Sequence, residues 1–195
     1  MDGGQHSVVS GLDGGRLSAL VRGAIVPAFV LAHAWASPKC YPCDVPFVPD
    51  IVVTGAESPR VLVAVEAKTD ETQFDRFASE ISQYLWGMSS PVGLLIFPKH
   101  LWVFYNTYSG VDEKAIKRLG PYELPQIVWL DAGVSPPVEG QRFEPLAQKL
   151  LEHLAATGNA GHISKDLHSA LEAHVFPALN SGVIRAAGPR LVSVQ

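Results

Sequence analysis

The chain has 195 residues, is 47% hydrophobic, and carries 15 Lys and Arg against 19 Asp and Glu, a formal net charge of −4. That length suits one domain with decorations, and the apolar share suffices for a core. The acidic balance excludes a protein that grips nucleic acid over its whole surface, so any such site must be a local basic patch. Residues 1–15 are Gly-rich and polar and predict loose chain. Leu17, Leu20, Val21, Ala24, Ile25 and Ala28 then share one helical face, with Pro27 kinking or dividing the helix. Arg16, Arg22 and the apolar run from Gly23 to Ala32 mimic a secretory signal. The polar stretch ahead of it, with Asp2 and Asp13, argues against export, and the run is too short and interrupted to span a membrane. Cys40-Tyr41-Pro42-Cys43 has the spacing of a redox pair or of half a zinc site. A redox pair wants a helix starting at its first cysteine, whereas Asp44-Val45-Pro46-Phe47-Val48-Pro49 is extended. A zinc site needs two further ligands, of which only His33 is near in sequence, so the pair reads as reduced structural thiols in a cytosolic protein.

The segment from Pro49 to Lys68 is the most informative. Ile51-Val52-Val53 and Val61-Leu62-Val63-Ala64-Val65 are β-branched runs, and Gly55-Ala56-Glu57-Ser58-Pro59-Arg60 between them reads as a turn. The pattern predicts a β-hairpin centred on Ser58. Asp50 and Glu66 are equidistant from that centre, so in an ungapped hairpin they lie directly opposite, about 4.5–5.5 Å apart at Cβ. Lys68, two residues past Glu66, points to the same face. Two carboxylates that close repel unless a cation or a proton lies between them. A divalent ion with oxygen ligands fits that role. Alone, Glu-x-Lys is an ordinary strand end and Pro-Asp ordinary turn chemistry; the joint pattern carries the signal.

The next segment extends the pattern. Thr69-Asp70-Glu71-Thr72 has helix-start chemistry. Phe74, Phe77, Ile81, Tyr84, Leu85 and Met88 recur at helical spacing, which predicts a helix over about 72–88 ended by Pro91. Val92–Phe97 and Leu101–Tyr105 predict two strands joined by a turn at Pro98-Lys99-His100.

Pro49-Asp50 with Glu66-Ala67-Lys68 resembles the PD-(D/E)XK nuclease superfamily. The stretch Tyr84-Leu85-Trp86-Gly87-Met88-Ser89-Ser90-Pro91-Val92-Gly93-Leu94-Leu95, followed by Trp102 and Tyr105, looks more narrowly like the N-terminal nuclease domain of type I restriction-enzyme R subunits and stand-alone relatives. The resemblance covers residues 45–106. It implies an α/β, restriction-endonuclease-like fold, a mixed central β-sheet flanked by helices. It implies catalytic Mg²⁺, with Mn²⁺ able to substitute, held by Asp50, Glu66 and the carbonyl oxygen of Ala67, and Lys68 positioning or activating the attacking water. The implied activity is hydrolysis of DNA in restriction, defence or repair, in the cytoplasm, with DNA and further restriction or defence subunits as partners and no membrane. The alternative is a catalytically inactive binding or assembly module of the same fold. A metal-dependent hydrolase of small molecules is a third class, disfavoured because no small-molecule pocket motif is present. The family usually has Gln four residues before the tyrosine matched by Tyr84; here that position is Glu80, and Gln83 stands one residue before the tyrosine. Glu80 and Gln83 share a helix face, and Arg76 lies four residues before Glu80, in reach of an ion pair. The helix ahead of the hairpin, which the resemblance packs on the sheet, has no acid between Arg16 and Ala36, so an additional metal ligand would fall to a residue such as Asp44.

Lys68, Arg76, Lys99 and His100 form the candidate basic patch near the expected active end, with Lys114, Lys117 and Arg118 as a second cluster. Val111–Leu119 reads as a short mixed-charge helix. Gln126–Leu130 reads as a strand, and Ser135-Pro136-Pro137 as a turn. Phe143, Leu146, Ala147, Leu150, Leu151 and Leu154 define an amphipathic helix broken at Thr157–Gly161; Leu167, Ala170, Leu171, His174 and Val175 define another, ending near Pro177. His153, His162, His168 and His174, without carboxylate partners in the pattern, read as surface or packing residues. The organisation expected is a nuclease-like core with its N-terminal helix over 1–135, and a C-terminal helical extension of the same domain over 136–195.

Overall fold

A computed structural model describes residues 47–110, 112–138, 141–158 and 161–188. By its contacts the chain divides into Met1–Pro42 and Cys43–Gln195, and every described residue belongs to the second unit. The expectations for the N-terminal helix, His33, Cys40, Cys43 and Asp44 fall outside the described residues.

The hairpin forms from β1 (Ile51–Gly55) and β2 (Val61–Ala67). Ile51 pairs with Val65, Val52 with Ala64 and Val53 with Val63, the register that places Asp50 across from Glu66. A register shift falls between Val53 and Thr54, at the turn end, so it leaves the Asp50 end in phase. After a single 3₁₀ turn at Glu71–Gln73, α1 runs over Phe74–Gly87. It carries the chain back to β3 (Val92–Ile96), which lies parallel to β2, and β4 (His100–Asn106) returns antiparallel. A parallel pair needs a crossover of this kind. β3 is buried along its whole length, the behaviour of an apolar run covered on both faces. At its Gly93, a Cβ would stand 2.9 Å from Leu85 Cδ1, so the glycine lets α1 lie close on the sheet.

Three C-terminal elements differ from the sequence reading. Among the described residues of the expected mixed-charge helix, only Glu113–Ala115 are helical, as one 3₁₀ turn; Ile116–Glu123 is β5, antiparallel to β4. In β5, Ile116 packs on the α1 face and Leu119 on the other, while the irregularity at Gly120, φ 111°, keeps Tyr122 on the face of Leu119; the resulting spacing of three imitates a helix. Its Lys and Arg are exposed on an edge strand, where charge discourages stray pairing. Gln126–Asp131 is α2 rather than a strand. Pro125 presets its entry, Trp129 is fully buried, and the Trp129 indole N–H donates to the Pro98 carbonyl at 3.1 Å; packing overrides the β-branched preference. The last helix does not end at Pro177. After α3 (Glu144–Thr157), closed by Gly158 in the left-handed conformation, α4 (Lys165–Ala170) passes through a π turn at Leu171–Val175 into α5 (Phe176–Ser181). Pro177 lies in the first turn of α5, where its missing N–H is tolerated. β6 (Gly182–Ala186) follows and pairs antiparallel with β1, so the 136–195 region adds a strand to the sheet as well as helices.

The result is an α/β architecture, a six-stranded mixed sheet in the order β5-β4-β3-β2-β1-β6. One face packs Ala64, Leu95, Phe97, Trp102 and Phe104 against Phe77, Ile81 and Leu85 of α1. The other packs Val63, Val65, Leu94, Ile96 and Val103 against the helices from α2 to α5. Strand directions bring the start of β1, the ends of β2 and β3, the start of β4 and the ends of β5 and β6 to one end of the sheet.

Candidate functional site

Asp50 sits at that end, held by backbone on both sides: its N–H donates to Val65 at 2.9 Å and its carbonyl accepts from Ala187 at 2.9 Å. Its Oδ2 accepts from the Ala67 N–H at 3.0 Å and from the Lys68 ammonium at 2.6 Å. The same ammonium lies 2.6 Å from Glu66 Oε1. Lys68 is fixed at its backbone by an N–H bond to the Ile96 carbonyl at 3.0 Å. Alternation along β2 points Glu66 and Lys68 to the α1 face, where the Lys68 ammonium stands 5.6 Å from the centre of the Phe77 ring.

Glu66 is 1% exposed. A carboxylate so deep is tolerable only if paired and hydrogen-bonded. Among the described groups two carboxylates meet one ammonium, a balance that favours a further cation. The oxygen donors that converge here are of the hard type that Mg²⁺ and Mn²⁺ prefer. The Ala67 N–H points to the Asp50 side, and in a strand the carbonyl of the same residue leaves from the same edge. Asp50, Glu66 and the Ala67 carbonyl therefore suit the ion that the motif implies. No group of three His, Cys, Asp or Glu side chains gathers in metal-holding geometry among the described residues.

The neighbouring loop is pinned by its own polar groups. Asp70 accepts from the Thr72 hydroxyl at 2.7 Å and the Thr72 N–H at 2.9 Å; these bonds hold its carboxyl below the ordinary aspartate value. Glu71 holds His100 Nδ1 through both oxygens, at 2.9 and 3.0 Å. Lys99 is exposed at the β3–β4 turn, and with Thr69, Asp70 and His100 it borders a cavity of about 720 Å³.

The other anticipated residues are held mainly on α1. Arg76 Nε donates to Glu80 Oε1 at 2.8 Å, and Gln83 Nε2 donates to Ser79 Oγ at 3.2 Å. The Arg76 guanidinium lies 5.8 Å from the Phe77 ring centre, so that ring has Arg76 and Lys68 beside it. Burial raises the Tyr84 hydroxyl above its usual pKa. The second basic cluster is not at this end. Lys117 and Arg118 pair with Tyr105 and Phe104, in the far half of β4, although the Arg118 guanidinium reaches back to within 5.2 Å of the Phe74 ring centre. Of the histidines, His162 does have a carboxylate partner, Asp131 at 2.7 Å, while His174 stacks on Tyr105 at 4.2 Å.

Three residues that sequence reasoning passed over reach the site. Arg142, Glu144 and Gln148 border a cleft of about 400 Å³ with Asp50 and Lys68. Arg142 and Glu144 also border a smaller one of about 210 Å³ with Ala67, Lys68 and Thr69. Local pattern marks them only as polar positions at the start of an amphipathic helix; their proximity to Lys68 is a tertiary fact.

No protein-family model matches the chain, and comparison with curated proteins and with solved structures returns no match.

Proposed function

We propose that the chain is a Mg²⁺-dependent deoxyribonuclease with a restriction-endonuclease-like fold of the PD-(D/E)XK kind, acting in restriction, defence or repair in the cytoplasm. The observation that supports it is the Lys68 ammonium 2.6 Å from both Asp50 and Glu66, with Ala67 donating to the same Asp50 oxygen. Asp50, Glu66 and the Ala67 carbonyl would hold the ion, which supplies a Lewis acid for the phosphoryl oxygen and a more acidic water. Lys68 places a positive charge where the phosphorane's charge develops. Burial of Glu66 strengthens each of these electrostatic contacts. Partners on this reading are DNA and further restriction or defence subunits.

The test is cleavage of plasmid DNA in Mg²⁺ or Mn²⁺ by the wild type and by Asp50→Asn, Glu66→Gln and Lys68→Ala. Each variant should lose at least about 100-fold of the rate, the scale of removing one transition-state electrostatic group. Equal cleavage by all four proteins would place the activity elsewhere or in a contaminant.

A second reading rests on the same contacts. Lys68 already bridges the carboxylates, so the cluster is stable without an ion and serves equally as the buried anchor of a non-catalytic binding or assembly module. Calorimetric titration separates the two: no heat with Mg²⁺ or Mn²⁺, together with no cleavage, favours the module.

A further inference from the structure

We propose that Arg142 is a phosphate-binding residue, its guanidinium seating a backbone phosphate of a DNA strand that passes through the two clefts meeting at Lys68. The inference deepens the nuclease reading and rests on it for the identity of the ligand. Lys68, Arg142 and Glu144 border both clefts, so the clefts are two arms of one depression around the cluster. The charge there is otherwise unfavourable to DNA. Among the described residues Asp50, Glu66 and Glu144 outnumber Lys68, whose ammonium is committed to two carboxylates. With a net charge of −4 overall, a cation at the cleft itself is the direct source of attraction.

Arg142 is exposed and has no ion pair among the described residues, so its donors face the cleft and solvent. Its backbone is anchored next door. Phe143 is buried and packs on Trp129 with ring centres 5.5 Å apart, and Trp129 is tied to the Pro98 carbonyl. A guanidinium on a fixed stem offers two parallel N–H donors, the match for two phosphate oxygens; an ammonium does not.

The experiment is anisotropy titration of a fluorescein-labelled duplex oligonucleotide against the full chain in EDTA, at several salt concentrations, alongside cleavage kinetics in Mg²⁺. Arg142→Ala should raise Kd about tenfold, the scale of one hydrogen-bonded charge contact. It should also reduce the slope of log K against log salt by about 0.9, one phosphate's share. Arg142→Lys should keep the slope and recover only part of the affinity, and Glu144→Gln should tighten binding. In cleavage, Arg142→Ala should raise KM with kcat little changed. An unchanged Kd and slope in Arg142→Ala, or a wild type that binds no oligonucleotide, overturns the inference. The nuclease reading fails separately: if Asp50→Asn and Glu66→Gln cleave like the wild type while Arg142→Ala weakens binding, Arg142 stands as a DNA contact and the cluster is not the active site. Arg142 is at the surface, so equal thermal midpoints verify that the variants fold.

Discussion

The two ends of the sheet treat charge in opposite ways. Where β2 and β3 run out, a nearly buried glutamate, an aspartate and a lysine are drawn into one cluster with contacts of 2.6 Å. At the other end the described charged groups stay at the surface, and the buried polar residues, Thr54 and Ser90, are neutral hydroxyls. Arg60 and Tyr108 both donate to the Ser89 carbonyl at 3.2 Å from exposed positions, and Lys114 lies 3.9 Å from Asp112. Exposed pairs contribute about 0–1 kcal/mol. A buried carboxylate costs several kcal/mol unless its partners are fixed. The first end therefore carries an arrangement that stability alone does not call for, and this asymmetry directs attention to Asp50, Glu66 and Lys68.

The largest expected effect follows from removing the shared partner. Lys68→Met removes the ammonium that both carboxylates share. It should destabilise the fold by about 3 kcal/mol, the lower range for breaking a buried pair. Lys117→Met at the far half of the sheet should stay within about 0.5 kcal/mol. Urea unfolding of both variants checks this, and similar losses would erase the contrast between the ends. Mg²⁺ sharpens it: if the carboxylates accept an ion, millimolar Mg²⁺ should raise the thermal midpoint of Lys68→Met more than that of the wild type.

The part of the chain that makes the cluster is the part whose structure was legible in the sequence. Asp50 and Glu66 are symmetric about Ser58, and a two-strand hairpin is a local object, so counting residues gave the register seen between Ile51 and Val65. The apolar period of α1 and the unbroken run of β3 are local in the same sense. β5, α2 and β6 are not. Ile116 and Leu119 look helical until β4 is there to pair with them. Ile127-Val128 looks like a strand until Trp129 needs a pocket under Pro98. Val183-Ile184 has meaning as a strand only beside the free edge of β1. Arg142 and Glu144 share that fate, since nothing within the α3 segment points to Lys68.

A middle-sized contrast concerns DNA. If the ligand lies at the cluster end, Lys99→Glu and Arg76→Glu should each weaken binding of the isolated chain by several fold, and Lys117→Glu should leave it unchanged. Binding overall should be weak, with a salt slope of roughly −2 to −4, because few phosphates are neutralised. Anisotropy titrations at several salt concentrations measure both. A steep slope that ignores Lys99 and Arg76 but responds to Lys117 would move the nucleic-acid surface to the opposite end.

The smallest effect tests a device that both ends share. Asp70 and Asp112 each accept the N–H two residues on, Thr72 at 2.9 Å and Lys114 at 3.0 Å, and each opens a 3₁₀ turn. At the cluster end the Thr72 hydroxyl adds a second bond, and the Asp70 carboxyl is held below its ordinary value of 3.8, first by that hydroxyl and then by the backbone N–H. A lowered folded-state pKa means that the ionised form is the one the fold favours. Its contribution is present above the unfolded-state value and is lost as pH falls through the folded one. Asp70→Asn should therefore be less stable than the wild type near neutrality, and the gap should close as the pH drops below about 4. Urea midpoints of the two proteins from pH 6 down to pH 2.5 follow that gap. A gap that persists unchanged at the acid end would mean that the Thr72 bonds depend on the shape of residue 70 and not on its charge, and the loop beside Lys68 would then be held no differently from its counterpart at Asp112.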